Sequence, residues 1–169
     1  DQRNAGASTI VNNNYNLDRW ICYNSQASKL AVQQSSTAPT GFTKSMLFTS
    51  QSAYSVTSND YFYQSQRIEG NNIADLGWGT ASAQTVTLSF WVRSSLTGTF
   101  GGVIKNASQN RSYPLSYTIS AANTWEQKSI TVVGDTSGTW STDTGTGIWL
   151  AFSLGCGTTY QGTPNAWSG

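Results

Sequence analysis

The strongest secondary-structure signal in the chain is the stretch QTVTLSFWVRS at residues 84–94. Its apolar side chains alternate with polar ones at the period of two that a half-buried β-strand requires. Trp91 falls on the polar side of this alternation, opposite to Phe90. The stretch GIWLAFSL at residues 147–154 repeats the pattern, with Trp149 on its polar side. Both stretches therefore predict strands that bury an aliphatic face and turn a tryptophan outward.

Shorter runs of the same kind follow along the chain between clusters of Gly, Asn, Asp, Ser and Thr, a pattern typical of all-β proteins. One helical turn is predicted over Gly70–Leu76, and Gly101-Gly102 predicts a bulge or a close backbone approach. Such a pattern predicts an all-β fold, a two-sheet antiparallel β-sandwich of the jelly-roll kind. The further strands are predicted at Leu30–Gln34, Ser45–Ser50, Tyr61–Glu69, Arg111–Ser120 and Trp125–Val133.

The first part of the chain is polar and rich in asparagine, and differs in composition from the rest. We expect residues 1–16 to form a leader or linker that contributes one short strand around Thr9–Val11. The β-sandwich domain is expected to span residues 17–169, because a chain of 169 residues suits one domain of ordinary size. We expect the sequence to be either a piece of a longer polypeptide or a processed form.

Composition excludes several classes of function. The net charge is +1 and only 10% of the residues are charged, so the chain lacks the positive excess that neutralises nucleic-acid phosphates. Histidine is absent, which excludes Ser-His-Asp and Cys-His catalysis and imidazole metal sites. No apolar run approaches the roughly 20 residues that a membrane span needs. We therefore expect neither nucleic-acid binding nor membrane insertion.

The carboxylates give little support for catalysis or for metal binding. Glu69 could belong to a glycosidase pair, but Arg67 stands two positions away on the same strand face, and a salt-linked carboxylate is a poor general acid. We therefore expect no enzyme activity and no cofactor. Without histidine a metal site would depend on oxygen ligands, which suit calcium, and Asp135 and Asp143 are its weak candidates. The sequences around them, Asp135-Thr-Ser-Gly138 and Asp143-Thr-Gly145, are ordinarily hairpin turns.

Cysteine is sparse, with Cys22 and Cys156 far apart in the chain. Two cysteines are too few for a disulfide framework, and no C-x-x-C pair occurs. One interpretation is a single bridge that closes a long loop. The interpretation that we favour is two buried thiols that never meet, because cysteine readily acts as a small apolar residue.

Aromatic residues are the feature of the composition that points to a function. They make up 12% of the chain, including 7 Trp and 8 Tyr. Trp91 and Trp149, if they lie on outer sheet faces, offer flat apolar platforms on which the C–H face of a sugar ring can stack. The alternative interpretation is that a neighbouring subunit, a covering loop or the core itself buries these rings.

A second group of candidate glycan contacts lies on one predicted strand and one loop. Tyr61, Tyr63, Arg67 and Glu69 form a mixed row at the period of two, which places them on one strand face. Trp78 lies in Leu-Gly-Trp-Gly, at an expected loop tip. Rings of this kind can pack against a sugar while the charged and hydroxyl groups bind its hydroxyls.

An ordered set of short motifs, which begins near residue 16 and runs to the end of the chain, resembles a known family. The chain is similar to the carbohydrate-binding-module-like jelly-roll domains of tail fibres, tailspikes and other appendage proteins of tailed bacteriophages. The motifs are LDRW (17–20), QRIEG (66–70), IADLGWG (73–79), VTLSFWVRSS (86–95), GTF (98–100), RSYP (111–114), ANTWE (122–126) and LGCG (154–157).

The resemblance implies a non-enzymatic structural protein of the virion that displays the β-sandwich on the phage particle for attachment to the host surface. Host glycan is its implied target, and other virion proteins and copies of itself, most often as a trimer, are its implied partners. Family members continue past the equivalent of Gly169 with closing strands, so another segment or another chain is expected to complete the sandwich. Two alternatives stay open: a purely structural fibre or capsid-decoration module, and the carbohydrate-binding module of a secreted polysaccharide-degrading enzyme.

Overall fold

Antiparallel strands dominate the computed structural model, which describes residues 9–10 and 13–169. Within this part of the chain there is no α-helix, and short 3-10 turns occur at Gly70–Asn72, Ala74–Leu76 and Thr158–Tyr160. The strands are β1 (Thr9–Ile10), β2 (Tyr15–Leu17), β3 (Trp20–Asn24), β4 (Leu30–Ser35), β5 (Ser45–Ser50), β6 (Tyr61–Glu69), β7 (Val86–Val92), β8 (Gly98–Lys105), β9 (Ser112–Ile119), β10 (Glu126–Val132) and β11 (Thr146–Cys156).

Each strand predicted from alternation is present, and the all-β prediction is confirmed. The predicted strand around Thr9–Val11 is seen as β1, although Val11 and residues 1–8 of the expected leader lie outside the described residues. The predicted helical turn is observed as two 3-10 turns, and Gly77 ends the second one at a φ of 61°. No helix among the residues that the structure describes is long and apolar enough to cross a membrane.

Three strands, β2, β3 and β8, were not predicted because their sequences lack a sustained alternation. β8 contains Gly101-Gly102, which weakens strand propensity. A Cβ at Gly102 would lie 2.6 Å from the carbonyl oxygen of Ala151 on the paired strand β11. The predicted close backbone approach is therefore confirmed, and tertiary packing rather than propensity places this segment in a sheet.

The chain divides into two compact units. The first contains residues 1–66 and 153–161, and the second contains residues 67–152 and 162–169. Strands β6 and β11 are each divided between the units, after Gln66 and after Phe152. The expected domain boundary after residue 16 stays a prediction.

The first unit has two layers of antiparallel strands. β4 pairs with β1 and β5 in one layer, and β3 pairs with β2 and β6 in the other. Their facing side chains form a small apolar core that contributes about 25 cal/mol for each Å² of apolar surface removed from water. The core consists of Leu17, Cys22 and Val32, with Trp20, Leu30, Met46 and Phe48 packed against them.

The second unit repeats this arrangement with a larger core. β7 pairs with β10 in one layer, and β8 pairs with β9 and β11 in the other. Val86 and Leu88 of β7 pack with Ile130 and Val132 of β10 against the facing layer, as in a β-sandwich. The facing layer contributes Ile104, Tyr113, Leu115, Ile148 and Leu150 to this core.

Trp78 lies in a turn, as predicted, but its ring belongs to an aromatic cluster in the core of the second unit and is not exposed at a loop tip. It is only 6% exposed, and its indole Nε1 donates a hydrogen bond to the carbonyl oxygen of Gln84 at 2.8 Å. The rings of Trp140 and Trp167 lie 4.7 and 5.4 Å from it, centre to centre, in edge-to-face contact. The flanking glycines favoured an exposed turn in the prediction. Burial of a large aromatic ring is strongly favourable, and it places this side chain in the core instead.

The last described segment, residues 162–169, closes one end of the second unit. Trp167 donates from Nε1 to the carbonyl oxygen of Val133 at 2.8 Å, and Ser168 forms an antiparallel bridge with Ser112 at the start of β9. The segment thus extends the β8–β9 layer by backbone hydrogen bonds, although it forms no regular strand among the residues described.

Both cysteines are described by the structure, and neither forms a disulfide. Cys22 is buried in the core of the first unit and donates a hydrogen bond to Oε1 of Gln64. Burial raises the pKa of the Cys22 thiol to about 12, so it stays protonated. Cys156 is half-buried. The favoured interpretation is confirmed in that the two thiols do not meet, but of the two only Cys22 is buried.

Candidate functional site

Four tyrosines cluster on the outward face of β3 and β6 in the first unit. On β6, Tyr61 and Tyr63 alternate with Phe62 and Gln64, which are buried. Tyr23 on β3 is in register with Tyr63, and their rings stack with centres 5.0 Å apart and planes 25° apart. The alternation predicted for Tyr61 and Tyr63 is therefore present, and strand pairing brings Tyr23 beside them.

The cluster continues from Tyr63 to Tyr61 and then to Tyr160 in the last 3-10 turn. The Tyr61 ring lies 5.7 Å from that of Tyr63 and 5.3 Å from that of Tyr160, in edge-to-face contact with the latter. Tyr160 is 52% exposed and the other three are half-buried. We call Tyr23, Tyr61, Tyr63 and Tyr160 the tyrosine cluster. It combines apolar ring surface with hydroxyl groups that both donate and accept hydrogen bonds.

Asp60, which sequence analysis did not single out, anchors the segment before the tyrosine cluster. Its carboxylate is buried and accepts hydrogen bonds from Oγ of Ser25 at 2.7 Å, from N and Oγ1 of Thr57 at 2.8 and 2.7 Å, and from Oη of Tyr54 at 2.8 Å. These donors hold the pKa of Asp60 well below its usual value, the Ser25 hydroxyl having the largest effect. The next residue, Tyr61, is thereby fixed at the start of β6.

The structure brings Arg67 and Trp149 together in the second unit. The guanidinium carbon of Arg67 lies 4.6 Å from the centre of the Trp149 ring, and Nζ of Lys105 lies 5.7 Å from the same centre. Lys105 is in register with Trp149 on the paired strand β8, so the two side chains share one sheet face. We call Arg67, Trp149 and Lys105 the Trp149 cluster.

The prediction that Trp149 presents an exposed ring is wrong. Trp149 is only 7% exposed, although it lies on the sheet face opposite to Ile148 and Leu150 of the core. Long cationic side chains cover an aromatic ring because their methylene stems are apolar and their charge is attracted to the ring face. A pattern within one strand contains no information about such covering side chains on other strands.

Glu69 and Trp91 are the remaining predicted glycan contacts, and neither is a member of these two clusters. Glu69 is exposed at the end of β6, and its Oε2 accepts a hydrogen bond from Nδ2 of Asn72 at 3.1 Å. Trp91 is 39% exposed on the outward face of β7, in register with Gln127 of β10. Its outward orientation is the one that alternation predicts, because Phe90 on the other face packs against Phe152.

The calcium candidates Asp135 and Asp143 are both engaged by donor groups of the protein. The carboxylate of the buried Asp135 accepts two hydrogen bonds from Arg111, at 2.8 Å from Nε and 2.7 Å from Nη2. Burial alone would raise the pKa of Asp135, but the hydrogen bonds from Arg111 and Ser137 hold it below its usual value. Asp143 accepts from the backbone N–H of Gly145 at 2.8 Å. Both aspartates therefore accept hydrogen bonds of the kind that turn residues accept. Among the described residues, no three or more His, Cys, Asp or Glu side chains lie close enough together to hold a metal ion.

Comparison with solved structures finds proteins of similar fold. The family 11 carbohydrate-binding module from Clostridium thermocellum, solved in complex with a β-1,3-1,4-mixed-linked tetrasaccharide, aligns with 95% of this chain and 89% of that module at a TM-score of 0.50 and 14% identity. This chain has a carbohydrate-binding-module-like jelly-roll fold. The enzymatically active domain of tailspike protein 4 of bacteriophage CBA120 aligns with 82% of this chain, also at a TM-score of 0.50 and 14% identity.

The jelly-roll prediction is thus confirmed. The chain spans 18% of the length of the tailspike chain that it matches. No protein-family model and no curated protein sequence matches it.

Proposed function

We propose that this domain binds carbohydrate through the tyrosine cluster and serves as a host-attachment module in a bacteriophage appendage such as a tail fibre. The observation that carries the proposal is the cluster itself, in which β3, β6 and a 3-10 turn bring four tyrosines to one outward sheet face. Aromatic rings with polar tips offer sugars both an apolar contact and hydrogen bonds.

The phage context is supported by two independent observations. The ordered motifs from LDRW to LGCG resemble those of phage appendage domains, and the fold is similar to that of a tailspike domain. In this function the domain is non-catalytic, lies on the virion surface, and is repeated in a homo-oligomer, with a trimer favoured. Repetition raises weak individual contacts with a host glycan to useful avidity.

A second candidate function is a carbohydrate-binding module of a secreted polysaccharide-degrading enzyme. It is supported by the alignment with nearly the whole of the clostridial module, which is a binding domain of the same size. Both candidates require carbohydrate binding, and they differ in what is encoded beside this domain. Virion proteins there support the first, and a glycosidase domain supports the second.

A glycan array probed with the purified domain tests the proposal. The Tyr160→Ala and Tyr63→Ala variants are expected to lower affinity for the bound glycans by about five- to tenfold, because each removes one ring contact. Phe42→Ala is the matched control, since Phe42 is 58% exposed in the same unit and lies outside the cluster. Circular dichroism checks that each variant is folded.

The outcomes separate binding from a structural role. Loss of binding in the cluster variants with retention in Phe42→Ala supports the proposal. Failure of the folded domain to bind any glycan contradicts it and leaves the purely structural module. Equal binding by all variants contradicts the assignment to the tyrosine cluster.

A further inference from the structure

β7 and β10 of the second unit present an outward face that has hydroxyl and amide groups and no charge. The two strands pair in register, and every second residue of each lies on the side away from the core of the unit. The exposed side chains on this side form three cross-strand pairs: Trp91 with Gln127, Ser89 with Ser129, and Thr87 with Thr131. We call these six residues the Trp91 face.

The side chains of the Trp91 face are not engaged by the rest of the described chain. Within that part of the protein, none of the six has a side-chain hydrogen bond, an ion pair or a ring contact. The charged residues nearby have partners of their own. Nε of Arg93 donates to the carbonyl oxygen of Asn123 at 2.8 Å, and Lys128 pairs with Glu126 at alternate positions of β10. The hydroxyl, amide and indole groups of the face therefore have donors and acceptors to offer a ligand.

The composition of the Trp91 face suits a sugar better than another protein. Protein–protein interfaces are depleted in serine and gather aromatic and other apolar residues at their core, whereas here one tryptophan is surrounded by small polar side chains. A sugar ring matches both parts, because its C–H face is apolar and its hydroxyl groups donate and accept hydrogen bonds. An uncharged sugar is favoured, since none of the six side chains is a cation that would pair with a carboxylate or a sulfate.

The dimensions of the Trp91 face favour a ligand longer than one sugar ring. Trp91 and Thr87 lie at the two ends of the face along β7, which corresponds to about 14 Å at the rise of an antiparallel strand. β10 lies about 4.8 Å to the side, so the face is a ribbon that is longer than it is wide. A single ring covers one end of such a ribbon, whereas an extended oligosaccharide contacts all three pairs.

We propose that the Trp91 face is a binding site for an extended, uncharged oligosaccharide. The indole of Trp91 contacts the C–H face of one ring, the amide of Gln127 binds the hydroxyls of that ring, and the serine and threonine hydroxyls bind the rings that follow. The inference does not use the tyrosine cluster, which belongs to the other unit. It goes beyond the proposed function because it assigns a second site and a charge class to the ligand.

The experiment measures binding of neutral linear disaccharides, tetrasaccharides and hexasaccharides, and of counterparts oxidised to uronates, by titration calorimetry. The wild-type domain is expected to bind the acidic members severalfold more weakly, because the face has no cation to replace the water that a carboxylate loses. Trp91→Ala should lower affinity for the neutral members about tenfold, and Trp91→Tyr should retain most of it. Phe42→Ala is the matched control, since it removes an exposed ring from the other unit.

The length of the oligosaccharide tests the placement along the face. Thr131→Val replaces a hydroxyl by a methyl group of the same shape and keeps the β-branch that suits a strand. Because Thr131 is at the opposite end from Trp91, this variant is expected to weaken the hexasaccharide severalfold and to leave the disaccharide unchanged. Gln127→Ala, beside Trp91, should weaken every length. Equal effects of Thr131→Val on both lengths would overturn the placement.

An NMR titration with the neutral hexasaccharide locates the contact directly. The indole N–H signal of Trp91 is assigned by its absence in Trp91→Phe, and is expected to shift saturably. The indole signals of the buried Trp78 and Trp140 should stay in place. Light scattering of the domain with and without Trp91→Ala identifies the competing occupant, because self-association that this variant abolishes would show that a second copy covers the face and would overturn the inference.

The variants separate this inference from the proposed function. Neutral binding that Trp91→Ala weakens and Tyr63→Ala leaves intact supports the Trp91 face, whatever the tyrosine cluster does. Neutral binding that is unchanged in a folded Trp91→Ala variant overturns the inference, while losses in the tyrosine variants keep the proposed function. Tighter binding of the acidic members overturns the charge class. Absence of binding to any glycan overturns both proposals.

Discussion

The guanidinium of Arg67 covers the ring of Trp149, which lies outside the aliphatic core and is nevertheless almost fully buried. The tryptophan is therefore part of the packed structure rather than a bare platform. Burial of the ring stabilises the fold. The contact with Arg67 holds the guanidinium over the ring on the outer sheet face.

Replacement of Trp149 by alanine is expected to lower the free energy of unfolding by about 3 kcal/mol, because it removes a large buried ring. Trp149→Phe should lose clearly less, since an aromatic ring remains under Arg67. Urea denaturation followed by circular dichroism measures both. A loss of under about 1 kcal/mol in Trp149→Ala would mean that the ring is not packed as described.

Asp60 is expected to make stability depend on acidity. Its pKa is held below the ordinary value of 3.8, chiefly by the hydrogen bonds from Ser25 and Thr57. A carboxylate whose pKa is lower in the folded state contributes stability above its unfolded-state pKa and loses it as the pH falls through the folded-state pKa. The urea midpoint should therefore be constant near neutrality and decline from about pH 4 downward.

Asp60→Asn is the variant that isolates this effect. It is expected to lower stability at neutral pH and to flatten the decline in acid, whereas Asp75→Asn, at an exposed carboxylate, should leave the decline unchanged. Asp135 is held below its usual pKa as well, so part of the decline will remain in Asp60→Asn. An unchanged acid profile in Asp60→Asn would show that the carboxylate does not anchor β6.

Gly102 is expected to tolerate no side chain. A Cβ there would meet the carbonyl oxygen of Ala151 at 2.6 Å, so Gly102→Ala must push β8 away from β11 and should cost about 2 kcal/mol or more. Gly101→Ala is the matched control, because its Cβ would meet the carbonyl oxygen of Leu115 at an ordinary 3.5 Å. Equal stability of the two variants in urea would contradict the strand pairing.

Trp167 is expected to stabilise the second unit. Its ring contacts those of Trp78, Trp140 and Tyr113, and it is half-buried. Trp167→Ala should lower the free energy of unfolding by roughly 2 kcal/mol, somewhat less than a fully buried ring would lose. Trp91→Ala provides the comparison, since it removes an exposed tryptophan from the same unit and should cost under about 1 kcal/mol. Similar losses in both variants would contradict the aromatic cluster.

Alternation along the chain predicted the strands whose faces differ most in polarity. β7 and β11 were predicted with the correct core face, because period two within one strand depends on local sequence alone. The same reasoning could not predict β8, where Gly101-Gly102 lowers strand propensity and the pairing with β11 compensates for it. Tertiary contacts decide such segments, and they are not visible in a short window.

Only part of the candidate site could be predicted from the sequence, because the rest depends on contacts between strands. Tyr61 and Tyr63 were predicted to share a strand face, which is a local property, whereas Tyr23 and Tyr160 join them only through strand pairing and a turn. The burial of Trp149 depends on side chains of two other strands. Sequence periodicity thus predicts which way a residue points, and neighbouring strands determine what covers it.

The most direct test of carbohydrate binding at the tyrosine cluster is an NMR titration of the domain with the glycan that binds most tightly on the array. The account predicts progressive, saturable shifts of the ring signals of Tyr61 and Tyr63, with the signals of the buried Tyr113 unchanged. Saturable shifts that leave Tyr61 and Tyr63 unmoved, or no shifts at all, would contradict it.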